Sequence, residues 1–239
     1  MLHFRPARGP TIATAIMLPV LIGLGVWQVE RLHWKEGLIA AIDRNIHTPP
    51  VMLDAGRMQP QKNDEYLHVA VRGRFDNSKE TYLFASDLAG DPGYHVVTPL
   101  VTDDGRTYLV DRGYVPPERR DPATRPEGQV GGEQQVAGYW RWPTAPGLFT
   151  PKPDLAHRIW FSRDAAAMAK AVHVSPAQDA IVDADAKPNP GGWPRGGQTI
   201  VDIPNNHLSY AFTWFGLAVV LTGVYFAFHV SQGRLKLNG

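Results

Sequence analysis

No cysteine occurs among the 239 residues. That excludes disulfides, thiolate metal sites, cysteine nucleophiles and thiol-based metal transfer, and it fits either redox compartment. Net charge is equally sparse: 24 Lys and Arg stand against 23 Asp and Glu, leaving +1. No electrostatic footprint for nucleic acid or for an acidic substrate follows from that balance, so nucleic acid is not expected as a partner. Catalytic signatures are missing as well. The chain has no G-x-S-x-G elbow, Walker loop, H-E-x-x-H pair or G-x-G-x-x-G fingerprint, no internal repeat is visible, and an enzyme is not expected. Asp183 and Asp185 lack a glycine-bearing loop or a partner histidine and read as a solvated loop rather than a metal site. His68 and His95 fall inside expected strands and read as packed or hydrogen-bonded core residues, and His229 as an interfacial one.

Charge is absent, above all, from two long runs. Thr11 to Gln28 holds 18 residues without a charge, enough for roughly 27 Å of helix. Arg5 and Arg8 precede it, as in a signal peptide, but no small-x-small cleavage pattern follows Val26, so the segment is expected to be retained. Pro19 in mid-span predicts a kink. Leu208 to Val230 gives 23 residues without Asp, Glu, Lys or Arg, a second span with room for tilt. Tyr210 and Trp214 near one end, and Tyr225 and Phe228 near the other, suit aromatic belts. Arg5, Arg8, Arg234 and Lys236 flank the outer ends of the spans and predict that both termini are cytoplasmic. The expected order is a cytoplasmic N-terminus over 1–10, a transmembrane helix over 11–28, a periplasmic β-rich domain over 29–207, a transmembrane helix over 208–230 and a cytoplasmic C-terminus over 231–239.

Between the spans, period-two alternation predicts strands at Tyr66–Phe75, Glu80–Phe84, Tyr94–Val101, Arg106–Val115, Val136–Trp142, Arg158–Phe161 and Thr199–Ile203. Thr102-Asp103-Asp104-Gly105 reads as a hairpin turn. Proline and glycine clusters at 116–117, 143–153 and 188–197 read as loops. A short helix is expected from Asp164 to Val172. Ile39, Ile42 and Ile46 extend the first helix to about Asn45, with a break at Gly37. The fold class is then membrane α + β: two transmembrane helices flanking a mainly antiparallel extracytoplasmic domain, a small barrel or sandwich with one or two short helices.

Candidate chemistry gathers where the two spans emerge. Trp27, Arg31 and Trp34 recur at i, i+4, i+7, and Gln28, Arg31 and Lys35 at i, i+3, i+7, so aromatic and cationic side chains share one side of the first helix. Headgroup anchoring and the helix dipole account for such residues equally well. The second helix opens at Pro204-Asn205-Asn206-His207, with an Asn as N-cap and with His207, Tyr210, Ala211 and Trp214 on one face. The positive end of the dipole favours a neutral imidazole there, one able to give a lone pair to a metal such as haem iron. Ala211 leaves room, Trp214 can stack on a flat macrocycle, and Arg31 or Lys35 can meet propionates.

Four blocks in order resemble the Surfeit-locus (Surf or Shy) cytochrome oxidase biogenesis family. They are Gly25-Val26-Trp27-Gln28 with Arg31, Trp34 and Lys35; Gly73-Arg74-Phe75-Asp76 with Glu80; Gly93-Tyr94-His95-Val96-Val97-Thr98-Pro99-Leu100 with Val110-Asp111-Arg112-Gly113-Tyr114-Val115-Pro116; and Pro204 to Trp214. Tyr114 stands where many members carry Trp, a conservative departure. The resemblance implies a non-enzymatic role in building haem-copper terminal oxidases, with haem a bound and passed to the catalytic subunit. It implicates His207 in haem binding and leaves the second axial ligand open. It also makes haem a synthase a possible partner beside the oxidase subunit and the lipid bilayer. The short segment before the first span favours a bacterial inner membrane over a mitochondrion. Two alternatives share this topology: a haem-free scaffold or chaperone that holds the oxidase subunit, and a two-helix channel subunit. The channel is disfavoured because neither span offers an acidic residue or polar stripe.

Overall fold

Helix occupies the two ends of the chain and strand its middle, in a computed structural model that describes residues 2–53, 60–61, 64–199, 201 and 203–237. The elements run β1 (Leu2–Phe4), α1 (Arg8–His47), β2 (Val51–Met52), β3 (His68–Phe75), β4 (Thr81–Ser86), β5 (Pro92–Val101), β6 (Thr107–Val115), β7 (Glu133–Arg141), β8 (Ile159–Trp160), α2 (Ala165–Ala171), β9 (Ile181–Ala184), α3 (His207–Ser231) and β10 (Leu235–Leu237). Short 3-10 turns punctuate the proline-rich connections, as at Pro117–Arg119 and Pro122–Thr124. The chain divides into two compact units, Met1–Ala40 with Asp202–Gly239, and Ala41–Val201.

In the first unit α1 and α3 run antiparallel. Their contacts step in opposite directions along the two helices: the Thr11 and Tyr225 hydroxyls are 3.0 Å apart, Gly25 abuts the Phe215 ring, and His207 meets Gln28. The least exposed positions of α1 include Thr14, Leu18, Leu21, Gly25, Gln28, Leu32, Lys35 and Ile39, alternating steps of four and three. On α3 they include His207, Ala211, Trp214, Ala218, Leu221 and Tyr225, in the same rhythm. Such spacing is what two left-handedly supercoiled helices need to keep one seam in contact. A Cβ on Gly25 would lie 2.6 Å from the Phe215 ring, so glycine is what admits that ring into the seam. Off the seam the surface is apolar: Ile12, Ile16, Phe212 and Val219 are each 60–72% exposed. Large exposed apolar area belongs against another apolar phase, and both helices are long and apolar enough to cross a membrane. The chain ends close on one another at the same end of the pair, where β1 and β10 form an antiparallel ladder. There the Ala7 N–H donates to His229 Nε2 at 3.0 Å. His229 is fully buried there.

The second unit is one eight-stranded sheet in the order β2-β3-β7-β9-β6-β5-β4-β8, with an additional β3–β5 pairing. That pairing closes β3, β7, β9, β6 and β5 into a ring, a small barrel of the kind expected from the alternation. Closure occurs at Arg74↔Val101 and Phe75↔Leu100, and Gly73 makes it possible. A Cβ there would meet the Val101 carbonyl oxygen at 2.4 Å. The barrel interior is filled by Val69, Val71, Leu100, Tyr108, Val110, Trp140 and Val182. The opposite parity of the same strands, Leu109 and Ile181 together with Val97, packs under Met168 and Ala169 of α2.

Several expectations are corrected. The sheet is mixed: β3–β5, β3–β7, β4–β5, β5–β6 and β7–β9 pair antiparallel as expected, and the short β2–β3, β4–β8 and β6–β9 pairings are parallel. β9 occupies a stretch read as solvated loop: Asp183 is 5% exposed within it, and only Asp185 lies beyond the strand. No strand forms at Thr199, Val201 or Ile203, while Ile200 and Asp202 lie outside the described residues. α1 passes through Gly37 unbroken and ends at His47. The hairpin at Thr102–Gly105 forms as read, with Gly105 at φ +81° and the Thr102 N–H on the Arg106 carbonyl at 2.9 Å.

Candidate functional site

The seam of the helix pair sorts the candidate residues. His207 is the first residue of α3, with Asn206 at the N-cap position but giving no side-chain bond to the helix. Its Nδ1 lies 2.7 Å from Gln28 Oε1, and Gln28 is only 8% exposed. With the amide oxygen facing the ring, Nδ1–H donates, and in the neutral tautomer that this bond selects the lone pair is on Nε2. No hydrogen bond to Nε2 is found among the described residues. Trp214, two turns further along the same face, is half-buried, and its indole N–H is buried without a partner among the described residues. Asn205 Oδ1, just before the helix, is unpartnered in the same sense. Unsatisfied buried polar atoms are uncommon in native structures and ask for a reason.

Lys35, half-buried, lies on the same stripe of α1 two turns beyond Gln28. The structure does not gather the remaining candidates there. Trp27 and Trp34 are 53% and 52% exposed, and Arg31 stacks on Trp34 with its guanidinium carbon 3.8 Å from the ring centroid. Tyr210 points off the seam as well, 56% exposed. Thus Gln28, His207 and Trp214 share the seam, Lys35 continues its α1 stripe past the level of the first residue of α3, and Trp27, Arg31, Trp34 and Tyr210 face outward. Gln28, which the sequence grouped with Arg31 and Lys35 by spacing, was given no binding role there. Its signal was present: a lone amide at the end of an apolar run, in phase with Leu21 and Gly25.

The β unit holds two buried charge clusters. In the first, on the α2 side of the barrel, His95 Nδ1 is 2.8 Å from Asp111 Oδ2, and Asp111 Oδ1 accepts the Gly113 N–H at 2.9 Å. Arg163 is paired with Asp183 and lies 3.8 Å from Asp111, and Arg141 links Asp183 at 3.4 Å to Glu65 at 2.8 Å. Burial opposes charge on His95, but the Asp111 carboxylate and the bond to it hold the ring above its ordinary value. Burial likewise opposes charge on Asp111, and His95, Arg163 and the Gly113 N–H outweigh it and hold the carboxyl below the usual range. His95 Nε2 is buried without a hydrogen-bond partner among the described residues. The second cluster centres on Glu80, which is held in a two-pronged pair by Arg125 at 3.1 and 2.6 Å. Arg112 lies 3.7 Å from the same carboxylate. Burial first, and Arg125 in addition, lower the Arg112 guanidinium to about 10, with Glu80 opposing. Among the described residues no group of three or more His, Cys, Asp or Glu is placed to hold a metal ion.

The chain as a whole is similar to known proteins. The chain is 39% identical to Surfeit locus protein 1 of Mus musculus over 220 residues, covering 85% of this chain and 70% of the mouse protein. It is 38% identical to Surfeit locus protein 1 of Homo sapiens over 229 residues, 88% of this chain and 75% of the human one. For Surfeit locus protein 1 of Takifugu rubripes the identity is 37% over 221 residues, 86% of this chain and 90% of that protein. The family model matches residues 15–219, which takes in most of the seam of α1, the whole barrel and the first half of α3. With the Gly25–Gln28 turn, the Gly73 closure and the His207 helix start all inside the matched span, this chain belongs to the SURF1 family.

Proposed function

We propose that this protein is an assembly factor for a haem-copper terminal oxidase of the cytochrome c oxidase kind, one that binds haem a on its helix pair and assists delivery to the catalytic subunit. The observation that carries this reading is the hydrogen bond between His207 Nδ1 and Gln28 Oε1. Metal-ligating histidines commonly donate their other ring N–H to an oxygen acceptor, which fixes the tautomer and aims the lone pair. Gln28 does this for His207 from the facing helix. Lys35, two turns beyond Gln28 on the same stripe of α1, offers a cation for a carboxylate of a bound macrocycle, and Trp214 offers its unpartnered indole N–H on the face of His207. Haem bound there would supply an iron for Nε2 and a flat apolar body for Trp214 and the apolar surface of the helices. One histidine, without a three-ligand cluster, makes a hold that can be released, which suits transfer. No reaction is assigned to the protein.

The same reading puts the two helices across a bacterial inner membrane, with the termini cytoplasmic and the β unit periplasmic. Support comes from the length and apolarity of both helices, from the charge of Arg5, Arg8, Arg234 and Lys236, and from the pairing of the two chain ends. The partners are then the oxidase catalytic subunit, haem a synthase as donor, and the bilayer. A haem-free scaffold is the second reading, favoured by the outward Trp27, Trp34 and Tyr210, which offer a contact surface of the kind protein partners use. Purification from cells rich in haem a separates the two. A Soret band stoichiometric with protein is expected, lost in His207→Ala while the protein stays in the membrane. Gln28→Leu should weaken haem binding by about 10- to 100-fold, as loss of an outer-shell partner does. Normal haem retention by His207→Ala refutes the carrier reading.

A further inference from the structure

One end of the barrel interior holds more positive charge than it compensates. Arg112 follows Tyr108 and Val110 in the inward parity of β6 and is 2% exposed. Its Nη1 sits 3.4 Å from Asn77 Oδ1 and 3.7 Å from Glu80, and its Nη2 donates to the Gly128 carbonyl. Glu80, however, is already engaged by both prongs of Arg125, by Gln129 Nε2 at 3.0 Å and by the Tyr82 hydroxyl at 3.4 Å. One carboxylate therefore serves two buried guanidinium groups, and one cation is left over. Arg112 Nε has no hydrogen-bond partner among the described residues. Its guanidinium carbon lies 4.6 Å from the centroid of the Phe75 ring, a contact that orients the group without neutralising it. A buried, uncompensated charge with an unused donor is costly unless something pairs with it.

Beside Arg112 opens a cavity of about 240 Å³. Phe75, Val130, Val136 and Pro188 give it an apolar wall, and the exposed Lys187 brings a second cation to its lining. Asp185 also lines it, with Oδ1 accepting the Lys187 backbone N–H at 3.1 Å. We propose that this cavity is a binding site for a small monocarboxylate with an apolar body of a few carbons. Its carboxylate takes the Arg112 Nε–H, with Lys187 adding a second positive charge, and its carbon chain lies on Phe75 and Val136. A single excess charge matches a monoanion. The cavity falls below the usual size of cofactor pockets, which suits a short chain and excludes a macrocycle. The site lies wholly within the β unit and stands independently of any role of the helix pair.

The test follows the arginine Nε–H resonances of the full chain, labelled with ¹⁵N-arginine and held in nanodiscs. Hexanoate is titrated against its neutral analogue hexanamide. With hexanoate, the Nε–H signal that is absent from Arg112→Lys should move to lower field and saturate. Hexanamide should leave it in place. Lys187→Glu, a change at an exposed side chain, should weaken the hexanoate response about tenfold by reversing one charge at the lining. If Arg112→Lys fails to fold, the Nε–H signal that saturates with hexanoate and not with hexanamide is followed instead, and its midpoint in Lys187→Glu decides. No saturable shift with hexanoate, an equal response to hexanamide, or an unchanged midpoint in Lys187→Glu each overturn the proposal.

Discussion

Arg125→Met should destabilise the β unit by about 3 kcal/mol, and Glu80→Gln by about 5, the two ends of the range for breaking a buried ion pair. The asymmetry comes from the geometry. The side chains of Arg125 and Glu80 are 1% and 2% exposed, so neither charge can turn to water when its partner is lost. Without Arg125, Glu80 still has Arg112 at 3.7 Å, and it keeps the hydrogen bonds from Gln129 and Tyr82. Without the Glu80 charge, two guanidinium groups face each other in a dry interior. For a unit of this size each kcal/mol lowers the melting temperature by about 2–4 °C, so the expected drops are about 6–12 °C and 10–20 °C. The assay is the thermal loss of near-UV circular dichroism from the buried Trp140 and Trp160. The double variant Glu80→Gln with Arg125→Met should fall by less than the sum of the two single changes, because it leaves one guanidinium rather than two unmatched charges. Single drops below about 1 kcal/mol, or strict additivity, would show that the pair is a surface-like ion pair and that the burial argument fails.

Gly73→Ala should cost about 1–3 kcal/mol, the range for overpacking. The added Cβ meets the Val101 carbonyl oxygen, a backbone atom of the closing strand that cannot rotate away, and an unchanged melting temperature refutes the closure argument. His95 makes stability depend on pH with a definite sign. Its ring is held above the ordinary 6.5 in the folded chain, so its contribution is complete below pH 6.5 and is lost as pH rises through the folded value. Asp111, held below 3.8, contributes above that value and loses its share as pH falls through the folded one. His95→Gln should therefore flatten the decline in stability on the alkaline side of pH 6.5, and a decline of unchanged slope refutes it.

Much of the fold was legible because burial in a strand or span imposes a period that composition cannot hide. The two apolar runs became α1 and α3, and the alternating stretches became β3 to β8, since each buries one face or both. What escaped notice was structure stabilised by distant partners. β9 is four residues long, and Ile181, Val182 and Asp183 are all buried, so it shows no alternation. Asp183 looked like a loop residue because its compensating charges, Arg163 and Arg141, lie 20 and 42 positions away. The three parallel pairings were hidden for the same reason, since a parallel partner leaves no local turn signal. Gly37 is the converse case: an intrinsic helix breaker, overridden inside a helix that continues for ten more residues.

For the helix pair, i, i+4 spacing alone grouped Trp27, Arg31 and Trp34 as one functional face, yet spacing on one helix cannot tell which face meets a neighbour. The second helix decides it. Once Gly25 is seen to admit Phe215, the facing stripe of α1 is fixed one residue past Trp27, on Gln28, and from there the four-three rhythm selects Lys35 and passes over Trp34. The polar partner of His207 is thereby set by a glycine one turn away. A bulkier residue at position 25 that pushed the helices apart should lengthen the Gln28–His207 contact before it unfolds anything. Helix packing and the tautomer of His207 are thus one physical problem: the seam that excludes Trp27 from the pair is the seam that puts an amide oxygen on Nδ1 and leaves Nε2 with its lone pair.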